Sequence, residues 1–346
     1  MKSAMKRAVA LGLAVLAAGI PLVPGPAGAS GASCRNVDVA VSALLLPQTM
    51  FGRLCQPAAA TRTALVLVPG GTYTGDYWDL PAEAGLYSFR AGMNDDGYAT
   101  MVVDRLGTGR SSRPLSATLT ALVQADAVHQ VIQGLRAGRF GPRYDRVIIG
   151  GHSLGGAIAV LEAATYHDVD GVLIASISHH FNPVNTAGLF LTMYPATVDP
   201  RLLLRGYDPG YLTTMPGTRA TFFHSPAIPN PLALAHDDAT KDVFATTEAA
   251  DAVGVAILTP YSALVNAPVL LTDSNADVLM CGELPLAADC SSAQAYRQQE
   301  APYWAPAAQL ETFLLPGGYG HSFNYAPNAA DFQHVVTDWA NRRVGR

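Results

Sequence analysis

A serine set between two glycines, Gly151-His152-Ser153-Leu154-Gly155, is the first place in this chain where residue type and spacing could do chemistry. A serine hydroxyl attacks a carbonyl only when a base takes its proton and a third group fixes the tautomer of that base. The hydroxyl is best presented at a sharp strand-to-helix turn. Flanking glycines tolerate the strained backbone there, and the helix N-terminus adds positive potential. Val147-Ile148-Ile149 before the motif is a strand pattern, and Gly156-Ala157-Ile158-Ala159 after it opens a small-residue helix. The pentapeptide alone is also compatible with an inert serine in an ordinary turn, so its partners decide the reading.

Of the nine histidines, His321 alone stands directly after a strand near the C-terminus, in Pro316-Gly317-Gly318-Tyr319-Gly320-His321-Ser322. Such a loop can fold back over the strand ends and bring an imidazole to the serine. Chains with this order of parts place the acid between nucleophile and histidine. Pro268 to Thr272 is a strand there, and the loop Asp273-Ser274-Asn275-Ala276-Asp277 follows it. Asp277 is the expected acid, because a turn of several residues lets its carboxylate reach back under the imidazole. Asp273 is the alternative and is expected to cap the turn. The oxyanion would need two backbone N–H groups. Leu154 supplies one, and Pro69-Gly70-Gly71-Thr72 supplies the other through Gly71 or, as the alternative, Thr72. Tyr73, Tyr77 and Trp78 wall the pocket or belong to the core. His152 is expected to be structural, and His179, His180, His224 and His236 are ordinary polar histidines unless they line a pocket.

Positioning these groups requires a sheet. Val37 to Val41 and Thr49 to Leu54 read as a hairpin, and Ala64 to Val68, Ala99 to Val103, Arg146 to Ile149, Gly171 to Ile177, Val269 to Thr272 and Glu311 to Leu315 as further strands. Helices are expected with Leu119, Leu122, Val128, Ile132 and Leu135 on one face, from Ser153 to about Tyr166, and from Ala329 to about Arg342. Strands alternating with helices imply a mostly parallel sheet covered on both sides. From Phe181 to Asn266 the alternation breaks into a stretch too long for a simple connection, which reads as an inserted cap. Its Leu189, Phe190, Leu191, Met193, Tyr194, Tyr207, Tyr211, Phe222 and Phe223 either shape an apolar pocket or fasten the cap to the sheet. The expected organisation is therefore a leader over 1–29, core over 30–180, cap over 181–266 and core again over 267–346.

The chain has 346 residues, 49% hydrophobic and 14% charged, which is enough apolar material for a large core and rules out a disordered or collagen-like chain. Residues 1–29 carry Lys2, Lys6 and Arg7, then an apolar run interrupted by Pro21, then Ala27-Gly28-Ala29. That is a cleaved secretory signal, too short and broken for a stable membrane anchor. The net charge is −5 with those three cations included, so the mature chain is more acidic still and a poor partner for nucleic acid. Cys34, Cys55, Cys281 and Cys290 remain, and proximity favours the pairs Cys34 to Cys55 and Cys281 to Cys290. Neither CxxC nor clustered histidines mark a metal site.

Five signals in order resemble the α/β-hydrolase superfamily, in particular its secreted bacterial and fungal serine hydrolases: Pro69-Gly70-Gly71, Asp104-Arg105-Leu106-Gly107-Thr108-Gly109-Arg110-Ser111, Gly151-His152-Ser153-Leu154-Gly155, Asp277, and Gly320-His321-Ser322. In that resemblance Gly107 and Gly109 shape a tight turn and bind no nucleotide. Pro69 and Ser274 depart from the pattern, replacing a histidine before the oxyanion glycine and a glycine before the acid. The resemblance implies the α/β-hydrolase fold and a secreted enzyme that cleaves a small, partly apolar carboxylic ester through Ser153, His321 and Asp277 without metal or organic cofactor. Amide cleavage, acyl transfer by the same three residues and a non-catalytic binding protein are the rival expectations.

Overall fold

A computed structural model of the protein describes residues 31–346 apart from 82–84, 226 and 229, so the expected leader lies outside the described residues. Along the chain the elements begin with β1 (Ser33–Ala43), β2 (Leu46–Gln56), β3 (Thr63–Val68), α1 (Phe89–Asp95), β4 (Ala99–Val103), α2 (Ala121–Arg136), β5 (Arg146–His152), α3 (Leu154–Tyr166) and β6 (Gly171–Ala175). They continue with α4 (Pro183–Leu191), β7 (Met193–Pro195), β8 (Tyr211–Thr214), α5 (Arg219–Phe222), α6 (Pro231–Thr240), β9 (Phe244–Ala245) and α7 (Thr246–Asp251). The last are β10 (Val269–Ser274), α8 (Ala293–Glu300), β11 (Glu311–Leu315) and α9 (Ala329–Arg343).

Eight strands form one sheet in the order β1-β2-β4-β3-β5-β6-β10-β11. β1 and β2 run antiparallel to their neighbours, and from β4 to β11 every pairing is parallel. The parallel strands are buried on both faces, which is why they read as continuous apolar runs. In β3, Ala64, Val66 and Val68 pack toward α2 and α3, while Leu65 and Leu67 belong to the layer with α1 and α9. Cys34 stands opposite Cys55 in the β1–β2 register and is bonded to it; Cys281 is bonded to Cys290 in the loop after β10.

Two local expectations need correction. β10 does not end at Thr272 but continues through Asp273 and Ser274, so Asp273 sits inside the sheet, wholly buried, instead of capping a turn. Leu119 precedes α2, whose N-cap is Thr120, and Leu122 lies on the exposed side. The β1–β2 turn is made by Leu44 and Leu45, both at positive φ (48° and 66°), where a two-residue hairpin ordinarily calls for Asn-Gly.

Between β6 and β10 lie α4 to α7 and a separate antiparallel sheet, β7-β8-β9. Two buried ion pairs fasten this segment internally and to the sheet: Arg219 with Asp237, and Arg105, after β4, with Glu248 of α7. Burying such charges is tolerable only in pairs with further hydrogen bonds, which both arginines have. No helix among the described residues is long and apolar enough to cross a membrane.

Candidate active site

The turn from β5 to α3 puts Ser153 at φ 52° and ψ −121°, a conformation that costs energy for a residue with a side chain. The surrounding glycines are what allow it. A Cβ on Gly151 would lie 2.0 Å from the Gly155 carbonyl oxygen, and one on Gly155 2.3 Å from that of Val68. The Ser153 N–H donates to Ala175 O at 2.7 Å, anchoring the elbow to β6.

His321 arrives from the loop after β11. Its Nδ1 lies 2.7 Å from Asp277 Oδ2, and Asp277 Oδ1 accepts from the N–H groups of Leu279 (2.8 Å) and Met280 (3.3 Å). The Cys281–Cys290 bond closes the loop immediately behind this acid. The His321 carbonyl accepts from Ser176 Oγ at 2.7 Å, and His152 Nε2 lies 3.1 Å from the same oxygen. His152 is therefore a support for the loop. Burial, followed by the neighbouring His321, holds its ring well below the ordinary histidine range, so it stays neutral.

Asp273 and Asp277 are told apart by environment. Among the described residues, Asp273 Oδ1 accepts from Ser274 N–H alone and Oδ2 has no hydrogen-bond partner. Burial first, and the adjacent Asp277 charge second, push its carboxyl well above the usual carboxylate range, so Asp273 holds its proton. A protonated acid cannot be the anion facing an imidazolium.

Of the two alternatives in the loop after β3, the Thr72 N–H is committed to Val243 O at 3.3 Å, while among the described residues the N–H groups of Gly71 and Leu154 make no hydrogen bond. Two arginines that carried no role in the sequence analysis brace this loop. Arg105 donates to Gly70 O (3.2 Å) and Val243 O (3.1 Å), and Arg219 to Thr72 Oγ1 (2.7 Å). Arg105 stands within the Asp104–Ser111 motif, so its signal was in view; a fully buried arginine implies carbonyl or carboxylate partners nearby.

Ser153, His321, Gly71 and Leu154 share the wall of a cavity of about 340 Å³. No hydrogen bond joins Ser153 Oγ to His321 among the described residues. Leu189, Phe190, Met193 and Phe223 line the cavity as the pocket reading anticipates, together with Phe181 and Phe244. Tyr73 does so as well, whereas Tyr77 stacks on His152 at 3.9 Å and Trp78 Nε1 donates to Val68 O, so both are core. Leu191, Tyr194, Tyr207, Tyr211 and Phe222 stand outside the cavity wall: Leu191 is 82% exposed, and the Tyr194 and Tyr207 hydroxyls donate to Asp199 and Asp242.

The sequence reading missed a second chain of acid, imidazole and hydroxyl. Glu300 Oε2 lies 2.7 Å from His179 Nδ1, and His179 Nε2 lies 2.8 Å from Ser262 Oγ, with His180 Nδ1 on the other Glu300 oxygen at 3.0 Å. Ser262 is wholly buried beside a void of about 20 Å³. His224 is likewise inward, bonded to Asp237.

A family model described as alpha/beta hydrolase family matches residues 65–330. Lipase 3 of Moraxella sp. (strain TA144) is 38% identical over 73 residues and Lipase 1 of Psychrobacter immobilis 37% over 73. Each match covers 20% of this chain; it spans 21% and 20% of those lipases, so only about a fifth of either relative is represented. Among solved structures, the enol-lactonase from Burkholderia xenovorans LB400 superposes with TM-score 0.59 at 17% identity, over 85% of this chain and 97% of that one. A soluble variant of monoglyceride lipase from Saccharomyces cerevisiae does so with TM-score 0.58 at 14% identity, over 86% and 92%. These two likenesses speak for the fold, an eight-stranded and mostly parallel sheet between helical layers, while the family model spans β3 to the start of α9 and so takes in every residue of the site. The chain belongs to the alpha/beta hydrolase family.

Proposed function

We propose that this hydrolase is a secreted serine esterase acting on small, partly apolar carboxylic esters. The observation that carries the reading is the convergence of a strained Ser153, an Asp277-bonded His321 and two unengaged backbone N–H groups on one apolar cavity. Ser153 Oγ attacks the ester carbonyl carbon as His321 Nε2 takes its proton, and the carbonyl electrons move onto an oxyanion held by Gly71 and Leu154 N–H. Collapse expels the alcohol, which receives the proton from His321. Water then attacks the acyl-serine by the same route and frees the acid. Asp277 fixes the tautomer that leaves Nε2 facing the serine and stabilises the imidazolium. The serine–histidine hydrogen bond closes in the substrate complex, as such bonds commonly tighten on binding.

Residues 181–266 act in this reading as the cap whose apolar side chains hold the acyl or alcohol chain. The similarity to lipases over a fifth of their length supports ester over amide substrates, and two disulfides are compatible with export behind a leader over 1–29. Fluorophosphonate labelling followed by peptide mapping tests the nucleophile, and p-nitrophenyl esters of graded acyl length test the substrate class. Modification at Ser153 with turnover rising from acetyl toward medium acyl chains is expected. Labelling elsewhere, or cleavage confined to anilides, would overturn the proposal.

A further inference from the structure

A cluster far from the cavity has no role in this chemistry. Glu162 lies on α3 nine residues beyond Ser153, about 13 Å along the helix. Its side chain is completely buried, and among the described residues neither carboxylate oxygen accepts a hydrogen bond. A buried carboxylate without partners is costly, so such a group calls for a proton or a cation. The groups facing it offer a cation a home. His129 of α2 holds Nδ1 at 3.5 Å from Glu162 Oε1 and 3.0 Å from Asp168 Oδ2, and Nδ1 makes a hydrogen bond to neither. Asp168 follows the left-handed cap of α3 at His167, and its Oδ1 is also buried without a partner. One donor atom from each of the three residues lies within 4.8 Å of the other two.

These distances suit a small ion. Donors around a tetrahedral zinc at 2.0–2.2 Å stand roughly 3.3–3.6 Å apart, close to the gaps of 3.0 and 3.5 Å between His129 and the two carboxylates. The donors are also held in place. Tyr166 stacks on the His129 ring at 3.7 Å, Arg136 donates to the Asp168 carbonyl at 2.6 and 3.0 Å, and Gln133 donates to Asp168 Oδ2. An entry path exists, because the His129 and Asp168 side chains are 22% and 18% exposed over the buried Glu162. An imidazole nitrogen with two carboxylates favours zinc or a similar transition metal; calcium and magnesium prefer all-oxygen shells of six or more ligands.

We propose that His129, Glu162 and Asp168 form a structural zinc site, with water as the fourth ligand. The ion would neutralise both carboxylates and tie α2 to the C-terminal end of α3 and the turn into β6, the helix whose other end carries Ser153. Residues at 129, 162 and 168 escape a search for clustered histidines and cysteines because the helix pairing, not the spacing, brings them together.

The purified protein, stripped with chelator, is titrated with ZnCl2 in a calorimeter and its thermal midpoint followed. One equivalent is expected to bind with a micromolar or lower Kd, raising the midpoint by about 4 °C or more at saturation. CoCl2 in its place should give the visible absorption of a tetrahedral site, and CaCl2 should do nothing. H129A and E162Q should each weaken zinc binding by about 100-fold or more, with p-nitrophenyl ester turnover preserved. Absence of saturable zinc uptake by the parent protein overturns the proposal whatever the variants do. So does uptake undiminished in folded H129A and E162Q, or equal stabilisation by calcium.

Discussion

Asp277-His321-Ser153 and Glu300-His179-Ser262 place the same three functional groups in the same order, yet end in different surroundings. The acid-to-imidazole distance is 2.7 Å in both. In the second chain the hydroxyl is hydrogen-bonded as well, at 2.8 Å, and by connectivity alone it is the more complete relay. Its serine, however, sits in the short helical turn Pro260–Leu264, fully buried. Glu300 accepts from the His179 backbone and from both imidazoles, so the network satisfies every group it buries. Ser153 has the opposite character, with a strained backbone, a hydroxyl facing a large cavity and unengaged N–H groups beside it. A hydrogen-bonded chain thus marks polar satisfaction. On the proposed reading, fitness for acyl transfer lies in access, backbone strain and a place for the oxyanion.

The widest separation should come from the serines. S153A is expected to lower kcat for p-nitrophenyl esters by about 10⁵- to 10⁶-fold. S262A, measured in the same assay, should leave kcat unchanged and cost only about 1 kcal/mol of stability, for one lost hydrogen bond. A large kcat loss in folded S262A would erase the distinction between the chains. The acids come next. D277N should reduce kcat by about 10⁴-fold, because an amide opposite Nδ1 favours the wrong tautomer. E300Q should act on urea unfolding instead, costing about 1–3 kcal/mol as His179 and His180 lose a charged acceptor, with kcat near the parent value. D273N should also keep its activity; were it the more damaging of the two Asp changes, Asp277 would lose its assignment.

The contrast also explains which parts were legible beforehand. The Ser153 elbow needs only neighbours in sequence, a β-run before it and small residues around it, and both β5 and α3 appear where those patterns lie. His321 and Asp277 were reachable because chain order restricts which strand ends can meet. The Glu300 network was not, since α8 is polar with only Tyr296 and Glu300 buried, and its partners lie 121 and 83 residues apart from one another along the chain. Asp273 was misplaced because aspartate usually ends a strand, and only the sheet register, Asp273 opposite Leu314, shows that it continues one. Thr72 could be set aside only once Val243, from the insertion, was seen to occupy its N–H.

The smallest effect separates the two regions by pH. Asp273 is raised by burial and by Asp277, so the native protein holds a proton that an unfolded aspartate releases above about pH 3.9. Stability contributed at this site therefore falls as pH rises from about 4 toward the native-state value, by at most about 1.4 kcal/mol per pH unit. D273N removes the titration at this buried position, so its stability relative to the parent should climb over that window. Glu300 runs the other way. Burial pushes its carboxyl up, but hydrogen bonds from His179 and His180 outweigh this and leave it below the usual range. Its stabilisation is fully present above about pH 4.3, the value in an unfolded chain, and is lost as pH falls through the native value. The deficit of E300Q should accordingly shrink in acid while the advantage of D273N shrinks with it, one variant approaching the parent from below and the other from above. Urea unfolding at about pH 2.5, 4, 5.5 and 7 reads both slopes, that of Glu300 below about pH 4 and that of Asp273 above it. A D273N curve parallel to the parent would mean that Asp273 is ionised in the fold, and the electrostatic reason for preferring Asp277 would fall with it.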